Sequence, residues 1–306
     1  MSGPITTTSP AAPVKDDNLF YGVLRRRAPH PLTPAPLASY QLDGQPCRTV
    51  AARSFAEGRS LLLWGETGTG KTEFVKWLCG EIRVPLFQVQ GHLDLTWADL
   101  TGDWKPNDGA GAAFTFIDGP LVAAMTCGGC FLLDEASSVK QGVLNGLNEV
   151  LNGVGKPLAI ETDRGHRVVT PANGFRIALT LNPWGQYAGN QELNSAFTNR
   201  FRVFEWPFLD ADAELAMLQQ AFPQYEAGGL RTLVDFANDV RAQKVKTPDA
   251  TRYVMSHRDC LTFCEYVTMG YRELEAANLV VLGTARLVAP DEVPALTEHI
   301  NNVFDG

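Results

Sequence analysis

Eight consecutive residues, Gly65-Glu66-Thr67-Gly68-Thr69-Gly70-Lys71-Thr72, carry the spacing GxxxxGK[ST] directly after an apolar run. That spacing suits phosphate chemistry. Glycines let successive backbone N–H groups turn inward, and the start of a following helix adds its own, so the loop can cradle phosphate oxygens. Lys71 would reach the β and γ phosphates of ATP as a point charge, and the Thr72 hydroxyl would ligate Mg²⁺. Further along, Cys130-Phe131-Leu132-Leu133 ends in Asp134-Glu135. Asp134 there can hold the Mg²⁺ shell, and Glu135 can orient and deprotonate an attacking water. The second acid points to hydrolysis. Ala178-Leu179-Thr180-Leu181 then leads to Asn182-Pro183, where the amide of Asn182 could bridge the lytic water and the γ phosphate. On turn chemistry alone, Asn182 is simply the residue before Pro183.

These groups need strands that end side by side. Apolar runs predict strands at Leu61–Trp64, Pro85–Val89, Cys130–Leu133, Arg176–Leu181 and Phe201–Trp206, with helices at Lys71–Ile82 and Gly142–Leu151. Short strands alternating with helices make an α/β fold with a mostly parallel five-stranded sheet covered on both faces. On the last strand, Phe201, Val203 and Trp206 should be buried and Arg202 should face out. After Pro207 the pattern turns helical, at Asp210–Ala221, Gly229–Gln243, Ser256–Met269, Leu274–Leu287 and Pro290–Phe304. The expected organisation is a tail over residues 1–46, an α/β nucleotide-binding domain over 47–208 and a helical lid over 209–306.

The tail holds 8 of the 19 prolines and shows no helical or strand period, so it is expected to be disordered. Its short patch Leu19-Phe20-Tyr21-Gly22-Val23-Leu24, followed by Arg25-Arg26-Arg27, could dock on the body or stay solvated.

Composition narrows the function classes. With 26 Lys and Arg against 34 Asp and Glu, net charge −8 and 45% hydrophobic residues, the chain is globular and acidic, which disfavours nucleic acid as a partner. No run approaches the roughly 18 apolar residues of a membrane span, and the N-terminus lacks a secretory pattern. A cytoplasmic location is expected. Six cysteines include Cys127-Gly-Gly-Cys130 and the i, i+4 pair Cys260 and Cys264, yet no second CxxC or His pair completes a zinc site, so they read as small buried hydrophobes.

With these strand ends in order, the chain resembles an AAA+ ATPase, and more narrowly the MoxR group that includes the CbbQ and NorQ activases. Trp97-Ala98-Asp99-Leu100-Thr101-Gly102 and Phe116-Ile117-Asp118-Gly119-Pro120-Leu121 resemble the group's insertion within helix 2, here about residues 91–118. Leu158-Ala159-Ile160 with Arg167-Val168-Val169 resembles its pre-sensor 1 hairpin, about 155–170. Asn194-Ser195-Ala196-Phe197-Thr198-Asn199-Arg200-Phe201 is similar to the arginine-finger segment, and Ser256-His257-Arg258 to the sensor 2 motif.

The resemblance implies Walker A at Lys71 and Thr72, Walker B at Asp134 and Glu135, sensor 1 at Asn182, sensor 2 at Arg258, and a finger at Arg200 that reaches a neighbour's γ phosphate. Arg202 competes for the finger role, and Arg258 also reads as an ordinary helix cation. It further implies a ring, expected to be a hexamer, whose insertions act on a protein client, in some relatives with a von Willebrand A-type partner. A chelatase-type subunit, a nucleotide-gated scaffold and a nucleic-acid motor are the rival readings. The intact Asp134-Glu135 pair opposes the scaffold, and the acidic charge opposes the motor.

Overall fold

The computed structural model describes residues 19–21, 23–24, 30–35, 45–106, 114–151, 156–162, 165–182, 193–246 and 252–305. The chain opens with two short antiparallel strands, β1 (Leu19–Phe20) and β2 (Val23–Leu24), and helix α1 (Pro46–Ala56) follows, with proline in its first turn. Then come β3 (Leu61–Trp64), α2 (Lys71–Glu81), β4 (Leu86–Gln90), α3 (Trp97–Thr101), a hairpin of β5 (Gly102–Pro106) and β6 (Phe114–Asp118), α4 (Pro120–Cys127) and β7 (Cys130–Asp134). After α5 (Gln141–Leu151) a second hairpin pairs β8 (Leu158–Thr162) with β9 (Gly165–Val169), leading to β10 (Arg176–Leu181), α6 (Ser195–Thr198) and β11 (Arg202–Glu205).

Five of these strands form one sheet in the order β11-β3-β10-β7-β4, every pair parallel. The pairs Leu181 with Trp64, Glu205 with Trp64 and Gln90 with Asp134 bring the strand C-termini to one edge, where an open α/β sheet places its ligand. One face is covered by a cluster including Leu121, Met125, Leu144 and Leu147 of α4 and α5, the other by Phe55 of α1 and Phe74, Val75 and Leu78 of α2. Burial on both faces explains why β7 and β10 read as unbroken apolar runs.

The expected strands are all present, two with the expected bounds and three with ends moved by one residue. One side chain differs. Phe201 and Trp206 are buried and Arg202 is exposed, but Val203 is 46% exposed. β11 is an edge strand: Phe204 packs toward α1, and alternation turns Val203 to the uncovered side.

A helical region follows, with α7 (Ala211–Ala221), α8 (Ala227–Lys246), α9 (His257–Thr268), α10 (Glu273–Ala277), α11 (Gly283–Val288) and α12 (Val293–Phe304) around their own apolar cluster. The single helix expected over Leu274–Leu287 is interrupted by a π-helical turn at Asn278–Leu282 between α10 and α11. Among the described residues no helix is long and apolar enough to cross a membrane.

Parts of the proline-rich segment lie on the body. Phe20 is buried edge-on against Trp77 of α2, and the Leu86 N–H donates to the Leu32 carbonyl at 3.0 Å. Docking, one of the two expectations for the patch around residue 20, is what its described residues do; the rest of the segment lies outside the described residues.

Candidate functional site

β3 delivers the chain to the glycine loop at the C-terminal edge of the sheet. Gly65 fits there because it has no side chain: a Cβ would lie 2.2 Å from the Trp206 carbonyl oxygen. Gly68 has φ +77°, and a Cβ on it would stand 2.3 Å from Cβ of Ser256, so the loop presses directly on the helical region. Within the loop, Thr69 Oγ1 donates to the Glu66 carbonyl at 2.8 Å, while Thr67 is exposed. Gly70 caps α2 in a left-handed conformation and has no side chain to occupy the first-turn N–H groups. Such a helix start attracts anions.

Lys71 is buried at the start of α2. Its Nζ donates to the carbonyls of Gly65 at 2.6 Å and Glu66 at 2.8 Å and to Asn182 Oδ1 at 3.1 Å. Burial lowers its pKa to about 8, against the opposing pull of Asp134, Glu66 and Glu135. The loop lysine and the strand-end amide are thus joined by a hydrogen bond, although 111 residues separate them.

The two acids sit beside this pair. Thr72 Oγ1 lies 2.8 and 2.9 Å from the two oxygens of Asp134, and Gln88 Nε2 donates to Oδ2 at 3.2 Å. Thr180 donates to Asp134 Oδ1. Glu135 follows with φ 54°, a left-handed conformation rare for a residue with a side chain, and its N–H donates to Thr180 Oγ1 at 3.0 Å. Its carboxylate belongs to an exposed residue at the strand edge. Hard oxygen donors from one hydroxyl and one carboxylate fit Mg²⁺, which protein sites hold with few protein ligands and substrate phosphates. No group of three or more His, Cys, Asp or Glu suited to a metal occurs among the described residues.

Two arginines expected here come from other elements. Arg258 is exposed on the first turn of α9, two residues after Ser256, whose side chain caps that helix in a capping box with Asp259. Arg200, by contrast, precedes β11, so it stands at the N-terminal edge of the sheet, opposite its own glycine loop. Its guanidinium donates to the Ala196 carbonyl, and with Arg59, Arg176 and Arg202 it lines a groove of about 590 Å³.

Residues 60–201 match the family described as "AAA domain (dynein-related subfamily)". That stretch has the fold of an AAA P-loop ATPase. Across 166 residues, 54% of the chain, the sequence is 33% identical to midasin of Giardia intestinalis, of whose length it spans only 3%. A protein of Staphylococcus haemolyticus is 28% identical over 192 residues, covering 61% of this chain and 70% of that protein. One from Staphylococcus aureus is 26% identical over 220 residues, covering 70% and 80%. A solved structure from Cytophaga hutchinsonii aligns with a TM-score of 0.46 and 18% identity, over 83% of this chain and 79% of that one. An AAA domain binds nucleotide, and the glycine loop, Lys71, Thr72, Asp134, Glu135 and Asn182 all fall inside the matched stretch.

Several residues at this strand edge carry no local signal. Thr180 and Gln88 reach Asp134 only because β10, β7 and β4 are neighbours. A strand-order prediction would have found Thr180, which shares a strand face with Asn182. In the helical region, Arg241 makes a two-pronged pair with buried Glu214 at 2.6 and 2.9 Å, donates to the Met255 carbonyl at 2.7 Å and covers the Phe208 ring, while His257 Nδ1 lies 3.0 Å from Glu214. That network anchors the segment carrying Ser256 and Arg258.

Proposed function

We propose that the chain is a MoxR-like AAA+ ATPase that hydrolyses ATP with Mg²⁺ at the subunit interfaces of a ring and uses the cycle to remodel a protein client. The observation that carries this reading is the hydrogen-bonded set at one strand edge, in which Lys71 meets Asn182 and Thr72 meets Asp134. Gly65 to Gly70 and the start of α2 would cradle the phosphates, and Lys71 would exchange the loop carbonyls for the β and γ oxygens. Thr72 and Asp134 would hold Mg²⁺, which when bound neutralises charge on the phosphates. Glu135 would take the proton of the attacking water as the bond to the γ phosphorus forms and ADP leaves. Asn182 would orient that water, and Arg258 would read the γ phosphate from the helical lid, which meets the loop at Ser256.

Arg200 supports action between copies, because it lies at the sheet edge away from its own loop. The edges are separated by the 4 residues of β3, about 10 Å or more at roughly 3.3 Å per residue. The client would meet the two hairpins, β5–β6 and β8–β9, whose outward side chains include Trp104, Phe114, Ile117 and Val168. Glu135→Gln tests the core of the reading. It should retain ATP while turnover falls by at least about 10²-fold, and ATP should drive that variant into a closed ring visible by light scattering. Unchanged turnover would remove Glu135 as the base.

A further inference from the structure

The hydroxyl of Thr180 touches both acids of the site. It donates to Oδ1 of Asp134 and accepts the N–H of Glu135 at 3.0 Å. A hydroxyl has one proton and two acceptor positions, so both contacts are satisfied together. Thr180 is 1% exposed in β10, in the middle of the sheet. What the two contacts fix differs. The first orients a carboxylate whose other partners are the Thr72 hydroxyl and, from the exposed side of β4, the Gln88 amide. The second ties the backbone of Glu135, a left-handed residue at φ 54° whose carbonyl accepts from the Ser138 N–H at 3.0 Å. Gly91 closes the other side: its N–H donates to the Asp134 carbonyl at 2.7 Å, and a Cβ there would lie 2.5 Å from the Glu135 carbonyl oxygen.

We infer that Thr180 is a positioning residue that sets both acids with one hydroxyl, aligning Asp134 for the metal shell and fixing the turn from which Glu135 reaches the water. This rests on the nucleotide reading above. Removing the hydroxyl frees the carboxylate to rotate and leaves the Glu135 N–H without its acceptor, so metal coupling and catalysis should fail together while the phosphate loop stays whole.

Thr180→Val keeps the shape and removes the hydroxyl; Thr180→Ser keeps the hydroxyl and removes the methyl. ATP affinity is measured with Mg²⁺ and with EDTA, alongside turnover. For Thr180→Val the affinity in EDTA should match wild type, the gain from Mg²⁺ should shrink about tenfold and turnover should drop about a hundredfold, with Thr180→Ser near wild type in all three. Should Thr180→Val fail to fold, Thr180→Ala against Thr180→Ser reads the same hydroxyl. Equal behaviour of Val and wild type, or of Ser and Ala, overturns the positioning role. A wild type that binds no ATP overturns the nucleotide reading instead, and the two failures are distinct.

Discussion

The guanidinium of Arg167 and the carboxylate of Asp118 meet in a two-pronged pair, Nη1 to Oδ1 at 2.6 Å and Nη2 to Oδ2 at 2.8 Å, joining the β8–β9 hairpin to the β5–β6 hairpin. Both side chains are partly open to water, with relative exposures of 41% and 30%, so solvent screens the attraction. Arg167→Ala should therefore change unfolding free energy by no more than about 1 kcal/mol. What should change is local: amide exchange in β8–β9 and at the end of β6 should quicken together. Exchange confined to β9 would mean that the hairpins are not mechanically joined.

Lys71 gives a pH dependence with a definite sign. In the free protein burial holds its pKa at about 8, whereas a bound triphosphate favours the ammonium and raises it. Binding above that pH must take up a proton. ATP affinity should be level from pH 6.5 to 7.5 and then fall by up to about tenfold per pH unit above 8. Calorimetry in buffers of different ionisation heat should show the uptake, and its absence at pH 9 would contradict the assignment.

Glu214 sets the acid limit of the helical region. Burial alone would raise its pKa, but the hydrogen bonds and charges of His257 and Arg241 outweigh it and bring it down to about 2 from 4.5. A carboxylate with a depressed folded pKa contributes stability that is complete above 4.5 and lost as pH falls through about 2. That difference is on the order of 3 kcal/mol. Glu214→Ala leaves Arg241 buried without its partner and should cost about 3–5 kcal/mol in denaturant unfolding at pH 7. A loss below about 1 kcal/mol would show that the pair is poorly coupled to the fold.

Arg200→Ala should lower turnover by about 10³-fold or more with ATP affinity retained, and Arg202→Ala should do far less. Mixing separates the reach of Arg200 from its mere presence. Subunits carrying Arg200→Ala keep an intact glycine loop and Glu135; subunits carrying Glu135→Gln keep Arg200. Co-assembled rings should recover about a quarter of wild-type turnover, since random mixing gives that share of intact interfaces. No recovery would place Arg200 outside the neighbour's site.

How much of this was readable beforehand follows distance along the chain. The run from Leu61 to Thr72 was legible because strand, glycine turn and helix start are contiguous and each has its own residue chemistry. The same holds for the strand ends at Asp134 and Asn182. Thr180 and Gln88 were not, because a threonine or glutamine in a strand gains its role from whichever strand lies alongside, here across 46 residues. Glu214 and Arg241 carry no signal in the sequence that sets them apart from other helix charges. Only three-dimensional packing of α7 on α8, with Phe208 over the guanidinium, turns them into a buried pair. Val203 was misplaced for the converse reason: the alternation was right, but the sheet ends at β11 and leaves one side bare.

The hydrogen bond from Leu86 to Leu32 gives the first residues of the chain a protective duty. β4 is the other margin of the sheet, and an unguarded margin of parallel strand is a template for stray pairing between molecules. Trimming the chain at Pro46 would strip the guard from β4 and bare the indole of Trp77 in one stroke. The shortened protein should keep its glycine loop and yet precipitate on concentration, so a soluble version is better sought by retaining that segment than by deleting it.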